Sequence, residues 1–382
     1  MNRLVPILAA VLAMTARPAP QDSRPSRDDQ VQRFVRSQMG FSDRDWRNLR
    51  NGRSVARLLD AEDGRDVAVF GAVQLRTSAE RVLEHVRRIE ALERALGVEA
   101  VGRIGDPASS QDLATLAFND QDLHDAARCR PGDCELQLTA AGLSALSATD
   151  WQAPDAATHA NHRYREMILR QLHAYRAGGL PALAPYVDRD EPTDLAAEAR
   201  RITHAGDVPV PVPELMLALD AYPRGPTRAI DDFFYWNTGD FGMKPTTRVN
   251  HVLILRIEDG PRRARGVYAV VATRQVYANH YFSATLEWRT VVESDDPNRC
   301  YLLYTTRSRV PGLSGFIGTL IRPIVRSRTR SGMERYLGLT RDMVENGRAL
   351  PGSGGGPGPS SAGGLPTAGV QGLLEVLGMN RP

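Results

Sequence analysis

The chain has almost no lysine. Lys244 is alone among 48 basic residues, and the rest are arginine. A preference that uniform reads as genome-level bias, so arginine clusters carry less meaning here than elsewhere. Cysteine is also scarce, at three. Two of them, Cys129 and Cys134, have no second pair at metal-ligand spacing, which argues against a zinc module. No apolar run outside the N-terminus approaches the ~20 residues that cross a bilayer as a helix. The net charge of +3 is too small to indicate a nucleic-acid partner. Catalytic signatures are missing as well. The sequence contains no H-E-x-x-H, no Walker loop, no dinucleotide fingerprint and no nucleophile elbow. Residues 312–316, Gly-Leu-Ser-Gly-Phe, lack the G-x-S-x-G spacing. Asp240-Phe241-Gly242 has the letters of a kinase motif but none of its companions, and reads as a turn. No cofactor and no metal are indicated.

What is present is ample for a core. The chain has 382 residues, 42% of them hydrophobic and 24% charged, enough for one large domain or two ordinary ones. Arg3 followed by the apolar run Leu4–Met14 has the form of a secretory signal, placed at residues 1–18. Residues 19–27 then form a flexible leader. Export to the periplasm or the extracellular space is therefore expected. In that oxidising setting Cys129 and Cys134, which flank Arg-Pro-Gly-Asp, are placed by the turn to form a disulfide. Cys300 reads as a buried core thiol. Residues 351–382 begin as a Gly/Pro/Ser-rich stretch that cannot bury a core and should be disordered. Within them Val370–Met379 has the pattern of a short amphipathic docking peptide.

Residues 228–309 read as consecutive strands. Thr247–Leu255 alternates, with Val249, His251, Leu253 and Leu255 on one face and Arg248, Asn250, Val252 and Ile254 on the other. The second face has polar ends and reads as the wetter one. His280–Val292 alternates more clearly, with His280, Phe282, Leu286 and Trp288 opposite Ser283, Thr285, Glu287 and Arg289. Gly266–Val276, Cys300–Arg309 and Arg228–Trp236 complete the series. Upstream, Asp28–Gln38, Asp43–Arg50 and Ser78–Leu96 read as helices, and Ser54–Leu59 and Asp66–Leu75 as strands. Residues 105–225 read as a largely helical insertion or subdomain. Residues 313–347 carry apolar residues at helical spacing, with Pro323 and Gly332 predicting a kink or two shorter helices.

The order is strand, helix, a run of antiparallel strands, then a C-terminal helix. "AVFGAVQL" leads into "SAERVLEHVRRIEAL", and Arg228–Gly347 supplies the rest. This order resembles the helix-grip fold of START-like, polyketide-cyclase-like proteins. The resemblance covers residues 28–104 and 226–350. It implies an α+β fold whose curved antiparallel sheet grips a C-terminal helix, interrupted here by the 105–225 insertion. It also implies a groove between sheet and helix for a hydrophobic or amphipathic molecule, possibly a lipid.

His251 and His280 fall on apolar faces, where an imidazole orients a ligand or acts as acid or base. Tyr277, Trp288 and Arg307 complete the candidate ligand-binding set. Arg322, Arg326, Arg328 and Arg330 crowd one segment beside apolar residues, in a pattern suited to anionic lipid head groups. Three functions follow as expectations. The leading one is an exported soluble protein that binds an apolar or amphipathic molecule in a cavity between sheet and C-terminal helix. The second is a cyclase- or hydrolase-type enzyme using a cavity histidine. The third is an interaction protein whose groove is filled by its own side chains.

Overall fold

A computed structural model describes residues 25–98, 100–206, 208–225, 230–239 and 244–346. The proposed signal, the Asp240-Phe241-Gly242 turn and the C-terminal tail lie outside them.

Two short helices open the described chain, α1 (Arg27–Ser37) and α2 (Asp43–Arg50). Ser26 caps α1 by accepting from the Asp29 amide, and Ser42 and Asp45 form a reciprocal capping box on α2. Strands β1 (Val55–Leu58) and β2 (Asp66–Leu75) follow. The expected single helix over 78–96 is two, α3 (Ala79–Arg87) and α4 (Ile89–Ala95). Arg88 leaves the helical region (ψ 53°), and the break lets Val82 and Val86 bury together with Ile89 and Leu92. Strand β3 (Ala100–Ile104), which no alternation marks in advance, comes next. The connection onward is helical: α5 (Asp120–Arg128), α6 (Ala140–Ser147), α7 (Ala156–Gly178), α8 (Leu195–Thr203) and α9 (Pro213–Ala221). The remaining elements are β4 (Ile230–Gly239), β5 (Thr246–Arg256), the short α10 (Gly260–Ala264), β6 (Val267–Ala278), β7 (Ala284–Glu293), β8 (Cys300–Arg309) and α11 (Gly315–Asn346).

All eight strands form one antiparallel sheet in the order β1-β2-β8-β7-β6-β5-β4-β3. The fold is thus α+β, with a C-terminal helix against an antiparallel sheet. Residues paired across an antiparallel ladder share a face. The row Phe233, Val252, Thr273, Glu287, Thr306, Val69 therefore looks one way, and the next row, Phe234, His251, Arg274, Leu286, Arg307, Ala68, looks the other. The first direction is here the inner face, covered by α3, α4 and α11. The second is the outer face, covered by the helices of the β3–β4 connection and, at the other edge, by α1 and α2. The sheet is thus sandwiched, and β2 and β6 are buried along their whole length.

Helix α11 is one element through Pro323 and Gly332, so of the two expected outcomes, a kink or two shorter helices, the second does not occur. Pro323 lies on the exposed side of the helix. The second half of α11 is pressed onto β2. Met333 and Leu337 lie over Gly71, where a Cβ would come within 2.6 Å of Met333 Cγ and 2.7 Å of Leu337 Cδ1. Glycine at position 71 is what permits that approach.

The disulfide forms as the turn predicted, joining Cys129 to Cys134 across a Cα–Cα distance of 4.4 Å. Gly132 takes φ +81° in the intervening turn, and Arg130 and Asp133 bridge across it. Cys300 is a buried free thiol, its pKa pushed up to about 12 by burial.

Candidate functional site

The sequence-derived candidates all lie on the outer face or its rim, beneath the helical connection and away from α11. His251 stacks on Phe234 at 4.2 Å between ring centres. Its Nε2 meets Asp232 Oδ2 and its Nδ1 meets the Tyr175 hydroxyl, each at 3.1 Å. Burial lowers its pKa against the pull of Asp232. A neutral ring satisfies both partners, donating from Nε2 and accepting at Nδ1. Tyr277 donates to the carbonyl of Gln137 (3.1 Å), and Trp288 is buried in the same outer core.

His280 is not on a strand. β6 ends at Ala278 and β7 begins at Ala284, and Tyr281 between them has φ +60°. This loop tucks His280 against Asp122 (2.8 Å) and the carbonyl of Glu135 (3.0 Å). Arg307 shares a cross-strand row with His251 and donates to Asp66 (2.8 Å) and the Asp60 carbonyl (3.1 Å). It lines a surface groove of about 360 Å³ with Asp60, Glu62 and Gly206. His251, Tyr277 and His280 thus bind the helical connection to the sheet, and Arg274 does the same through the Leu219 carbonyl (2.5 Å) and Thr203 (3.1 Å). The expectation that they face the space under α11 differs from the structure for one physical reason. The apolar face of these strands packs against the connection helices, so it is not the face that α11 covers.

What α11 covers is the face read as wet. Arg248, Asn250, Glu287 and Arg289 sit there, each less than a tenth exposed. Arg289 is the centre. It pairs with Glu287 (2.9 Å), donates to Thr273 and Tyr304 (both 3.1 Å), and reaches Tyr336 of α11 at 3.2 Å. Its guanidinium lies over the Tyr304 ring at 4.4 Å. Arg248 meets Glu287 at 3.3 Å. From α4, Glu93 accepts from Asn237 (3.2 Å), and Asn237 accepts from Asn250 (3.4 Å). Nε of Arg289 and, beside Asn250 on the next strand, Oε1 of Gln275 are among the polar atoms buried here without a hydrogen-bond partner among the described residues.

Burial alone would raise the Glu287 carboxyl, but the Arg289 and Arg248 guanidiniums outweigh it and hold Glu287 below the usual range. For Glu93 burial prevails, and its carboxyl lies above the usual range despite the same two arginines. The Arg248 and Arg289 guanidiniums thus gather beside Glu287, with Glu93 at the margin of the cluster. The cluster is graded along the strands. Beyond Val252 and Val271 the inner face becomes apolar, with Ile254, Val291, Leu302 and Val73 buried against α3, α4 and α11. A polar anchor beside an apolar floor is the chemistry that orients an amphiphile.

One signal in the sequence pointed here. Glu287 and Arg289 sit two apart on one strand and share a face with Arg248 and Asn250, which is complementary charge across neighbouring strands. Among the described residues, no group of three or more His, Cys, Asp or Glu is arranged to hold a metal ion. Nor is any described helix long and apolar enough to cross a membrane. No protein-family model matches the chain, and no curated protein is similar to it in sequence.

Proposed function

We propose that the chain is an exported START-like, helix-grip protein that holds an amphipathic molecule between its sheet and α11, with an anionic head at Arg248 and Arg289. The strand order supports the helix-grip reading. β2 leads through two short helices to β3, the later strands follow as an antiparallel meander, and β8 returns beside β2 before the final helix. Export is supported by the signal-like N-terminus and by the disulfide.

The observation that carries the ligand reading is the buried cluster itself. Charged side chains in an interior are costly, and unpaired polar atoms among them more so. Such groups concentrate where a ligand or a reaction uses them. A carboxylate or phosphate would pair with the Arg248 and Arg289 guanidiniums, and the apolar floor would take a chain at about 25 cal/mol per Å². The enzymatic alternative depends on a histidine in this space, and His251 and His280 lie elsewhere. The filled-groove alternative is favoured at one point, where Met333 and Leu337 close directly onto Gly71.

Native mass spectrometry of the protein purified without detergent tests the proposal. A bound mass that solvent extraction recovers as an acidic amphiphile is expected. A bare chain mass, with nothing extracted, would favour the filled groove.

A further inference from the structure

The first half of α11 packs by one side only. Ile321 and Val325 lean against Val67, Val310 and Leu313. The opposite side is open, and it is apolar: Phe316 is 81% exposed, Leu320 49% and Ile324 37%. Four residues apart, they form one stripe along the helix. The remaining exposed large apolar side chain among the described residues, Leu217, stands alone on α9. Beside the stripe, Arg322, Arg326 and Arg330 are also four apart. With Leu58 and Pro323 they line a groove of about 550 Å³ between α11 and the edge strand β1. Arg322 donates to the Leu313 carbonyl (3.0 Å), and its Nε is buried without a hydrogen-bond partner among the described residues. No acidic residue occurs from Leu313 to Met333. Like charges four apart on a helix repel, so an anion would relieve this arrangement.

We propose that this face of α11 docks the protein on an anionic phospholipid bilayer. Phe316, Leu320 and Ile324 enter the interface, and Arg322, Arg326 and Arg330 take lipid phosphates. An apolar stripe flanked by cations is how a helix lies in a membrane surface. The guanidinium fork matches phosphate oxygens two at a time. Charge complementarity selects this occupant over two others. A second copy meeting the same face about a two-fold axis would set arginines against arginines. The chain's own Val370–Met379 brings a single acid, Glu375, to three guanidiniums.

Vesicle co-sedimentation of the full chain tests this, with vesicles of 30% phosphatidylglycerol in phosphatidylcholine against phosphatidylcholine alone. Binding to the anionic vesicles should exceed binding to neutral ones by at least tenfold and should fall as salt rises. Each surface arginine contributes about fivefold, so Arg322→Gln/Arg326→Gln/Arg330→Gln should lose on the order of a hundredfold. Phe316→Ser/Leu320→Ser, exposed changes that leave the circular dichroism unaltered, should also abolish binding. Equal binding to both vesicle types, no binding at all, or wild-type binding by either variant would overturn the proposal. So would a concentration-dependent dimer that Phe316→Ser/Leu320→Ser dissociates, since that would assign the face to a second copy.

Discussion

Arg289→Met removes the centre of the buried cluster, and its effect follows from the contacts. The guanidinium pairs with Glu287 at 2.9 Å and donates to Thr273, Tyr304 and Tyr336. Breaking one half of a buried ion pair typically costs about 3–5 kcal/mol, because the other half stays buried and charged. Here Arg248 remains 3.3 Å from Glu287, and methionine keeps some packing on the Tyr304 ring. The expected loss is therefore about 3 kcal/mol, at the lower end of that range. Glu287→Leu/Arg289→Met removes both charges and should lie within about 1 kcal/mol of the parent. The two changes should thus couple by about 2 kcal/mol or more. Urea unfolding at pH 7 reports this through Trp236 and Trp288, which are buried on the other face of the same sheet. A single variant that loses under 1 kcal/mol, or a double variant as unstable as the sum of its parts, would refute the reasoning.

Other changes probe the same architecture. Glu93 has a folded pKa above its ordinary 4.5, so its contribution is greatest below pH 4.5 and is lost as pH rises towards the folded value. Glu93→Gln should therefore gain on the parent above pH 4.5, by up to about 1.4 kcal/mol per pH unit in that window; a stability difference that stays flat from pH 5 to 8 would contradict the assignment. Gly71→Ala should destabilise by about 1–3 kcal/mol and increase hydrogen exchange in the second half of α11, and Met333→Ala in the same chain should recover part of the loss. Cys129→Ser opens a loop closed across a sequence separation of 5 and should lower stability by about 2 kcal/mol, measured against the parent under oxidising and reducing conditions; no difference under oxidising conditions would mean the bond contributes nothing.

Much of the fold was legible because alternation marks strands whatever covers them. Asp66–Leu75 and Cys300–Arg309 matched to the residue, as did the disulfide. Strand β3 was lost because Gly102 and Arg103 interrupt its pattern. Gly102 is fixed by a neighbour far away in sequence, since a Cβ there would lie 2.5 Å from the Trp236 indole nitrogen. Which face α11 covers was misread for a deeper reason. Alternation separates two environments but does not say which one faces water. The usual inference, that the polar side is wet, holds when only one face of a sheet is covered. Here both are, and the more polar side is interior. The residues binding the β3–β4 connection, His251 and Tyr277 among them, looked like pocket residues because they are apolar or aromatic neighbours of buried polar groups. His280 was misplaced by a local effect, since β6 continues to Ala278 and the turn that follows removes it from the next strand.

An anionic head group at the Arg248–Arg289 cluster is what the proposed function requires. Calorimetric titration with dodecanoate tests it most directly, using the parent, Glu287→Leu/Arg289→Met and His251→Phe. One saturable site is predicted in the parent and in His251→Phe, weakened at least tenfold in the double variant. Equal affinity in all three proteins, or no saturable heat in the parent, would contradict the claim.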